Sequence, residues 1–262
     1  METERNRPDP AEYREPLGNG HSILLRRDAL PLGTDALLLA GMLPHRPDDT
    51  ALEIGAGTGA VSVLSALRGK FSRIDAVEID PVLAALARRN AEENRLSEVL
   101  HILQADARTL PATHAYHAVF MNPPYRAAGS GRPCRFHLAD ISRYERAGTI
   151  AQLCRAASDS LRPDGRLYVV YPAARLSALL SAFREADLFL RRLTQVSAFP
   201  DAPPALCLCT AAPGISDGGK DPAARITLPL FLHEKRGDKE DSPAARTLYL
   251  TGSLPGEWSR YD

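Results

Sequence analysis

The sequence predicts an α/β fold, with a mostly parallel seven-stranded sheet, an antiparallel edge strand and helices on both faces. Three observations carry this expectation. Short apolar runs alternate with longer amphipathic ones, the pattern of βαβ units. A glycine-rich turn follows the first core strand and opens a helix. The last two strands have no helix between them, which suits an antiparallel edge.

Taken in order, the first twenty residues are polar and proline-bearing and are expected to be loose. "HSILLRRDALPLGTDALLLAGMLP" follows, its start a short strand or hairpin. Ala36 to Leu43 is then a helix with Thr34 or Asp35 as N-cap. After the turn "PHRPDD", the strand "TALEI" is apolar except at Glu53, and "GAGTGAVSVLSALRGK" is a glycine loop entering a helix. "RIDAVEID" is the second strand. "PVLAALARRNAEENRL" is a helix with Pro81 in its first turn and Asp80 as its cap. "VLHILQAD" and "AYHAVFMN" are the third and fourth strands, and residues 126 to 147 read as irregular.

The helix "TIAQLCRAASDSL", the strand "GRLYVVYP" and the helix "ARLSALLSAFREA" come next, before the strands "FLRRLTQVSAF" and "PALCLCTA". A polar loop leads to a further strand, "RITLPLFLHE", a charged stretch and a short helix, "SPAARTLYLTG". The expected organisation is a flexible segment over 1–20, one α/β domain over 21–212, and an appendage over 213–262 packed on or continuous with it.

Composition narrows the classes. The chain has 262 residues, 44% of them apolar and 24% charged, enough for a full core in a soluble protein. The formal charge is zero, so no global basic field points to nucleic acid. Lys70, Lys220, Lys235 and Lys239 are the only lysines, so nearly all basic residues are arginine. A GC-rich coding bias accounts for that; bidentate phosphate contact is the sharper reading and needs local clustering. No apolar run reaches the ~18 residues of a membrane span, and the charged start lacks the apolar stretch of a signal peptide. Cys134, Cys154, Cys207 and Cys209 form no CxxC pair, so no metal site is expected. Cys207 and Cys209 read as small fillers on one strand face. Free thiols fit a reducing cytoplasm, the expected location, and a monomer is expected.

The chemistry lies at the strand ends. "LEIGAGTGA" sets Gly55, Gly57 and Gly59 after a strand, in E-x-G-x-G-x-G spacing and not the dinucleotide G-x-G-x-x-G. Gly57 lets the backbone approach a ligand with no Cβ in the way. Glu53 would repel phosphate but can hold an ammonium group, which points to an amino-acid-bearing nucleoside such as S-adenosylmethionine. Glu78 ends the second strand, where a carboxylate can accept both ribose hydroxyls. Asp106 ends the third, placed for the exocyclic amine of the cofactor's adenine, with the backbone of Ala107 nearby. Ala76, Ile79 and Leu103 line that pocket or belong to the plain core.

The fourth strand ends in "FMNPPY". Proline cannot donate to a ladder and bars helix from the residue before it. Asn122, Pro123, Pro124 and Tyr125 therefore make a stiff turn holding one amide and one ring. The Asn122 side-chain oxygen and the Pro123 carbonyl can accept the hydrogens of a planar amine and favour a pyramidal nitrogen aimed at a methyl donor. Tyr125 can stack on a flat substrate. Catalysis is then mainly positioning and electrostatics.

These residues resemble the Rossmann-like class I S-adenosylmethionine-dependent methyltransferases that carry an N-P-P-Y motif. "LGTDALLLAGML", "ALEIGAGTGAVSVL", "VEID", "ADA" and "FMNPPY" together resemble the bacterial tRNA1(Val) adenine-N6-methyltransferase family. The resemblance covers residues 20 to 175, and "ITLPLFLHE" further on, but not the tail. It implies N6-methylation of an adenine beside a tRNA anticodon, S-adenosyl-L-methionine as cofactor, and Asn122, Pro123, Pro124 and Tyr125 as the catalytic motif. It also implies that Thr34 and Asp35 help to close the methionine end of the pocket, and makes 21–212 the methyltransferase domain.

Five arginines between 126 and 147 face only Asp140 and Glu145. Arg126, Arg132, Arg135 and His137 are therefore candidates for contact with a tRNA substrate, against the plainer reading of a solvated loop. Arg88 and Arg89 read as a solvated helix face, and His101 and His117 as structural. Alternative functions are a protein N5-glutamine methyltransferase acting on a release factor and a guanine-N2 methyltransferase of ribosomal RNA. Adenine methylation of DNA and a non-catalytic binding module are weaker alternatives.

Overall fold

Two strands, β1 (Glu12–Gly18) and β2 (His21–Arg26), open the chain as an antiparallel hairpin. They are followed by α1 (Thr34–Met42), β3 (Arg46–Ile54), α2 (Ala60–Leu67), β4 (Phe71–Glu78), α3 (Pro81–Glu93), β5 (Leu100–Gln104) and β6 (Tyr116–Met121). After β6 come α4 (Ile150–Ser160), β7 (Leu161–Pro172), α5 (Leu176–Glu185), β8 (Leu188–Ser197) and β9 (Leu206–Pro213). The chain finishes with β10 (Arg225–Ile226), β11 (Leu230–Phe231), α6 (Pro243–Thr251) and α7 (Gly256–Ser259). This is a computed structural model, and it describes residues 9, 11–123, 148–214, 223–237 and 240–259.

The seven expected strands are β3 to β9, in spatial order β8-β9-β7-β6-β3-β4-β5, with β10 and β11 both added to β8. Every pairing in this sheet is parallel except those of β9 with β7 and β8. The reversed strand thus lies near the edge, between two strands of the opposite sense. Ala51, Leu52 and Ile54 of β3 are at most 1% exposed. Burying each such aliphatic side chain stabilises the fold by ~1.5–3 kcal/mol, although Ala contributes less. One core packs α1, α2 and α6 on one face of the sheet; another packs α4 and α5 on the other.

Local chemistry explains the helix boundaries. Asp80 accepts from the backbone N–H of Val82 and Leu83, and Pro81 follows it, as expected for the cap of α3. Thr149 and Gln152 close α4 with a reciprocal capping box. The cap of α1 departs from expectation. Gly33 holds the N-cap position in extended conformation, and neither Thr34 nor Asp35 caps with its side chain, because both already lie in the first turn.

The segment to residue 20, expected to be loose, is in part a strand. It pairs with β2, Leu17 packs against the core, and Arg14 and Glu12 add charge pairs to Glu93 and Arg89 of α3. Arg89 is therefore a pinning residue, not only a solvated one. The expected strand 225–234 splits into β10 and β11 on either side of Pro229, which has no N–H to give the ladder. These two strands continue the main sheet. Cys207 and Cys209 are fully buried, as their spacing suggests. His117 accepts from the Thr50 N–H at 3.1 Å, a structural role. Among the described residues, no helix is long and apolar enough to cross a membrane.

Candidate active site

The sheet order reverses between β3 and β6: β4 and β5 run outward on one side, β7 and its neighbours on the other. Open α/β sheets take ligands at such a point, beyond the carboxyl ends of the strands. A cavity lies there. Glu53, Gly55, Gly57, Glu78, Asp106, Ala107, Asn122 and Pro123 all contribute to its wall. Four strand ends that are far apart in the sequence thus meet in one hollow.

Glu53 is 2% exposed at the end of β3. Its Oε2 accepts from the backbone N–H of Ser62 at 3.2 Å and from the Ser62 hydroxyl. Burial raises its pKa to about 8, and the Ser62 hydrogen bonds only partly offset this. No cationic side chain pairs with it among the described residues. A buried carboxylate facing a cavity without a counter-ion fits an incoming ammonium group.

Gly55 and Gly57 both have positive φ, +74° and +57°, and a Cβ at either position would meet no atom within 4 Å. Glycine is needed here for the backbone turn, not for packing. The loop is clamped from beneath, since Glu78 Oε2 accepts from the Gly57 N–H at 2.7 Å and Oε1 from the Asp80 N–H at 2.8 Å. Burial pushes the Glu78 carboxyl up, while those N–H groups pull the other way. Each oxygen keeps acceptor capacity for a ligand hydroxyl. Gly59 is not part of the wall. It faces α3, where a Cβ would stand 3.1 Å from that of Ala87.

Asp106 reaches the cavity but is already engaged. It caps the short turn Ala107–Thr109, and its carboxylate accepts from the Arg108 guanidinium at 2.6 and 2.9 Å. The hydrogen bond from Arg108 holds the Asp106 pKa below its usual value. A partly exposed pair of this kind is worth ~0–1 kcal/mol, so a ligand amine can compete for it. Ile79 lines the cavity, whereas Ala76 is core and Leu103 is 43% exposed.

Asn122 follows β6, with Pro123 buried beside it. The Asn122 Nδ2 donates to Asp35 Oδ2 at 2.9 Å, which brings the start of α1 to the motif. Thr34 and Asp35 do not line the cavity themselves, although Ala36 does. Pro124, Tyr125, Arg126, Arg132, Arg135 and His137 lie outside the described residues.

The wall residues that the sequence did not point to include Ala29, Leu30 and Pro31, in the link from β2 to α1. Nor did it point to Asn90, fully buried on α3. Its Oδ1 accepts from the Leu24 N–H at 2.7 Å, and its Nδ2 donates to the carbonyls of Leu24 and Thr58 at 2.9 Å. It fastens the hairpin to the glycine loop. A polar residue among Leu83, Leu86, Ala87 and Ala91 of α3 was the available signal.

The fold is Rossmann-like, and its cavity lies at the edge of the sheet where such folds bind ligands. A family model described as the methyltransferase small domain matches residues 27–188, more than half of the chain. The chain belongs to that family, and it is an S-adenosyl-L-methionine-dependent methyltransferase.

Similar proteins include two named tRNA1(Val) (adenine(37)-N6)-methyltransferase. That of Porphyromonas gingivalis is 29% identical over 222 residues, covering 80% of this chain and 84% of that protein. That of Klebsiella pneumoniae is 30% identical over 190 residues, covering 71% and 77%. Among solved structures, a predicted O-methyltransferase of Agrobacterium tumefaciens superposes with a TM-score of 0.64 at 24% identity, covering 84% of this chain and 98% of that one. M. jannaschii TYW2 in complex with AdoMet gives a TM-score of 0.54 at 12% identity, covering 79% and 87%. Both structural likenesses are of fold.

Proposed function

We propose that this enzyme methylates the exocyclic amine of an adenine in tRNA. The single observation that carries the reading is the placement of Asn122 and Pro123 on the wall of the hollow that holds Glu53 and the glycine loop. The names of the similar bacterial proteins support tRNA as the substrate class.

In this reading Glu53 takes the ammonium of the cofactor, Glu78 its ribose hydroxyls, and the Asp106–Ala107 corner its adenine. Gly55 and Gly57 let the backbone lie against it. The cofactor supplies a methyl group on a sulfonium. Asn122 Oδ1 and the Pro123 carbonyl accept the two hydrogens of the target amine. That draws its lone pair out of conjugation and aims it at the methyl, so no strong base is required. By its place in the motif, Tyr125 supplies the stacking ring, and Arg126, Arg132, Arg135 and His137 are the residues nearest in sequence for the RNA backbone. The enzyme acts in the cytoplasm, as a monomer.

The test is tritiated cofactor offered with separate pools of tRNA, ribosomal RNA, DNA and release factor, followed by mass spectrometry of the labelled product. N6-methyladenosine in the tRNA pool is the expected result. Label in guanosine of ribosomal RNA, or in glutamine of the release factor, would replace this reading with that one.

A further inference from the structure

We infer that Asp35 is a positioning residue for methyl transfer: its carboxylate dictates which way the Asn122 amide faces. The inference rests on Asn122 accepting from the target amine, and it names the group that gives Asn122 its polarity. An asparagine side chain carries a donor arm and an acceptor arm of nearly equal shape, so rotation by 180° exchanges them at little steric cost. The proposed chemistry needs the acceptor arm toward substrate. An ionised carboxylate only accepts. With Asp35 Oδ2 2.9 Å from the amide, the NH2 arm must face it, and Oδ1 must face the other way.

Asp35 is itself held. Its Oδ1 accepts from the Ala36 N–H at 2.9 Å in the first turn of α1, where unpaired N–H groups favour a carboxylate. A Cβ at position 33 would stand 2.3 Å from that oxygen, so Gly33 leaves the space it occupies. The far end of the helix is anchored as well, because buried Lys70 Nζ donates to the carbonyls of Ala40 and Leu43 at 2.6 and 2.7 Å. The helix that carries Asp35 cannot slide without breaking both anchors.

Asp35→Asn tests this with almost no change of shape. The new amide can satisfy the Ala36 N–H only by turning its own NH2 toward Asn122, which then presents its oxygen to residue 35 and its NH2 to substrate. The single-turnover rate on tRNA should fall about 10- to 100-fold, the usual cost of misplacing a reacting group. Cofactor affinity by calorimetry should stay within about 3-fold, since only the target amine depends on that arm. In an Asn122→Ala background the second substitution should add nothing to the loss. Gly33→Ala, which displaces the carboxylate without removing it, should copy the kinetic defect.

A substrate-independent readout accompanies these. In NMR spectra of the 15N-labelled protein, the Asn122 side-chain amide signals, identified by their disappearance in Asn122→Ala, should move in Asp35→Asn. The inference is overturned if those signals stay put, if the two substitutions multiply in rate, or if cofactor affinity falls in step with the rate. Should the wild type methylate no tRNA, the proposed function fails, and the amide signals still decide the role of Asp35.

Discussion

Glu53 is the residue whose behaviour the account constrains most. Its pKa is raised from 4.5 to about 8 by burial, so between those values the folded state binds more protons than the unfolded state. The contribution of Glu53 to stability is therefore fully present below pH 4.5 and is lost as pH rises through about 8. The same shift links cofactor to protons. Binding an ammonium requires the carboxylate, so complex formation at pH 7 should release close to one proton. Calorimetry in two buffers of different ionisation enthalpy measures this. Zero release at pH 7 would place the ammonium elsewhere. Glu78→Ala removes the acceptor of two backbone N–H groups as well as the proposed ribose partner. It should weaken cofactor affinity about 10-fold or more and lower stability by ~1–3 kcal/mol. Thermal melting and calorimetry report the two effects separately, and an unchanged affinity would contradict the assignment. That Glu53 and Glu78 reach the cavity wall was legible because each lies at the end of a recognisable strand. Their partners were not: Ser62 on Glu53, and the Gly57 and Asp80 N–H groups on Glu78, follow from packing and turn geometry that no spacing encodes.

Among the elements, α3 joins the hairpin to the site. Asn90→Ala would leave the Leu24 N–H and the Leu24 and Thr58 carbonyls without their partner. A cost of ~2–4 kcal/mol in urea denaturation is expected, with weaker cofactor binding because the glycine loop is loosened. Unchanged stability would mean that water replaces the amide without loss. The helices and core strands were legible from apolar periodicity and caps such as Asp80 and Thr149. β1 was not, because "EYREPLG" has no continuous apolar face; it pairs with β2, and its Glu12 and Arg14 form ion pairs with Arg89 and Glu93 of α3. The buried Lys70 was equally hidden. Burial lowers its pKa to about 7, so its contribution to stability is present above 10.5 and is lost as pH falls through about 7.

For the whole molecule, the decisive feature is the reversal of sheet order between β3 and β6, which sets the Asn122 corner opposite the glycine loop. The alternation of strands and helices implied a parallel sheet, and the strand-end residues implied a common edge. The strand order itself comes from long-range pairing. After residue 213 a strand and a short helix were legible, but not where they pack: β10 and β11 extend the sheet, and α6 packs on α1, with Leu248 where a side chain on Gly41 would stand. Those contacts join distant segments and leave no local pattern. The central claim is that this corner performs the transfer and does not merely shape the pocket. Single-turnover methylation of tRNA by Asn122→Ala, with cofactor affinity measured in parallel, tests it most directly. The account predicts a rate at least ~100-fold lower with affinity changed by no more than about 3-fold. A variant that turns over at the wild-type rate would contradict it.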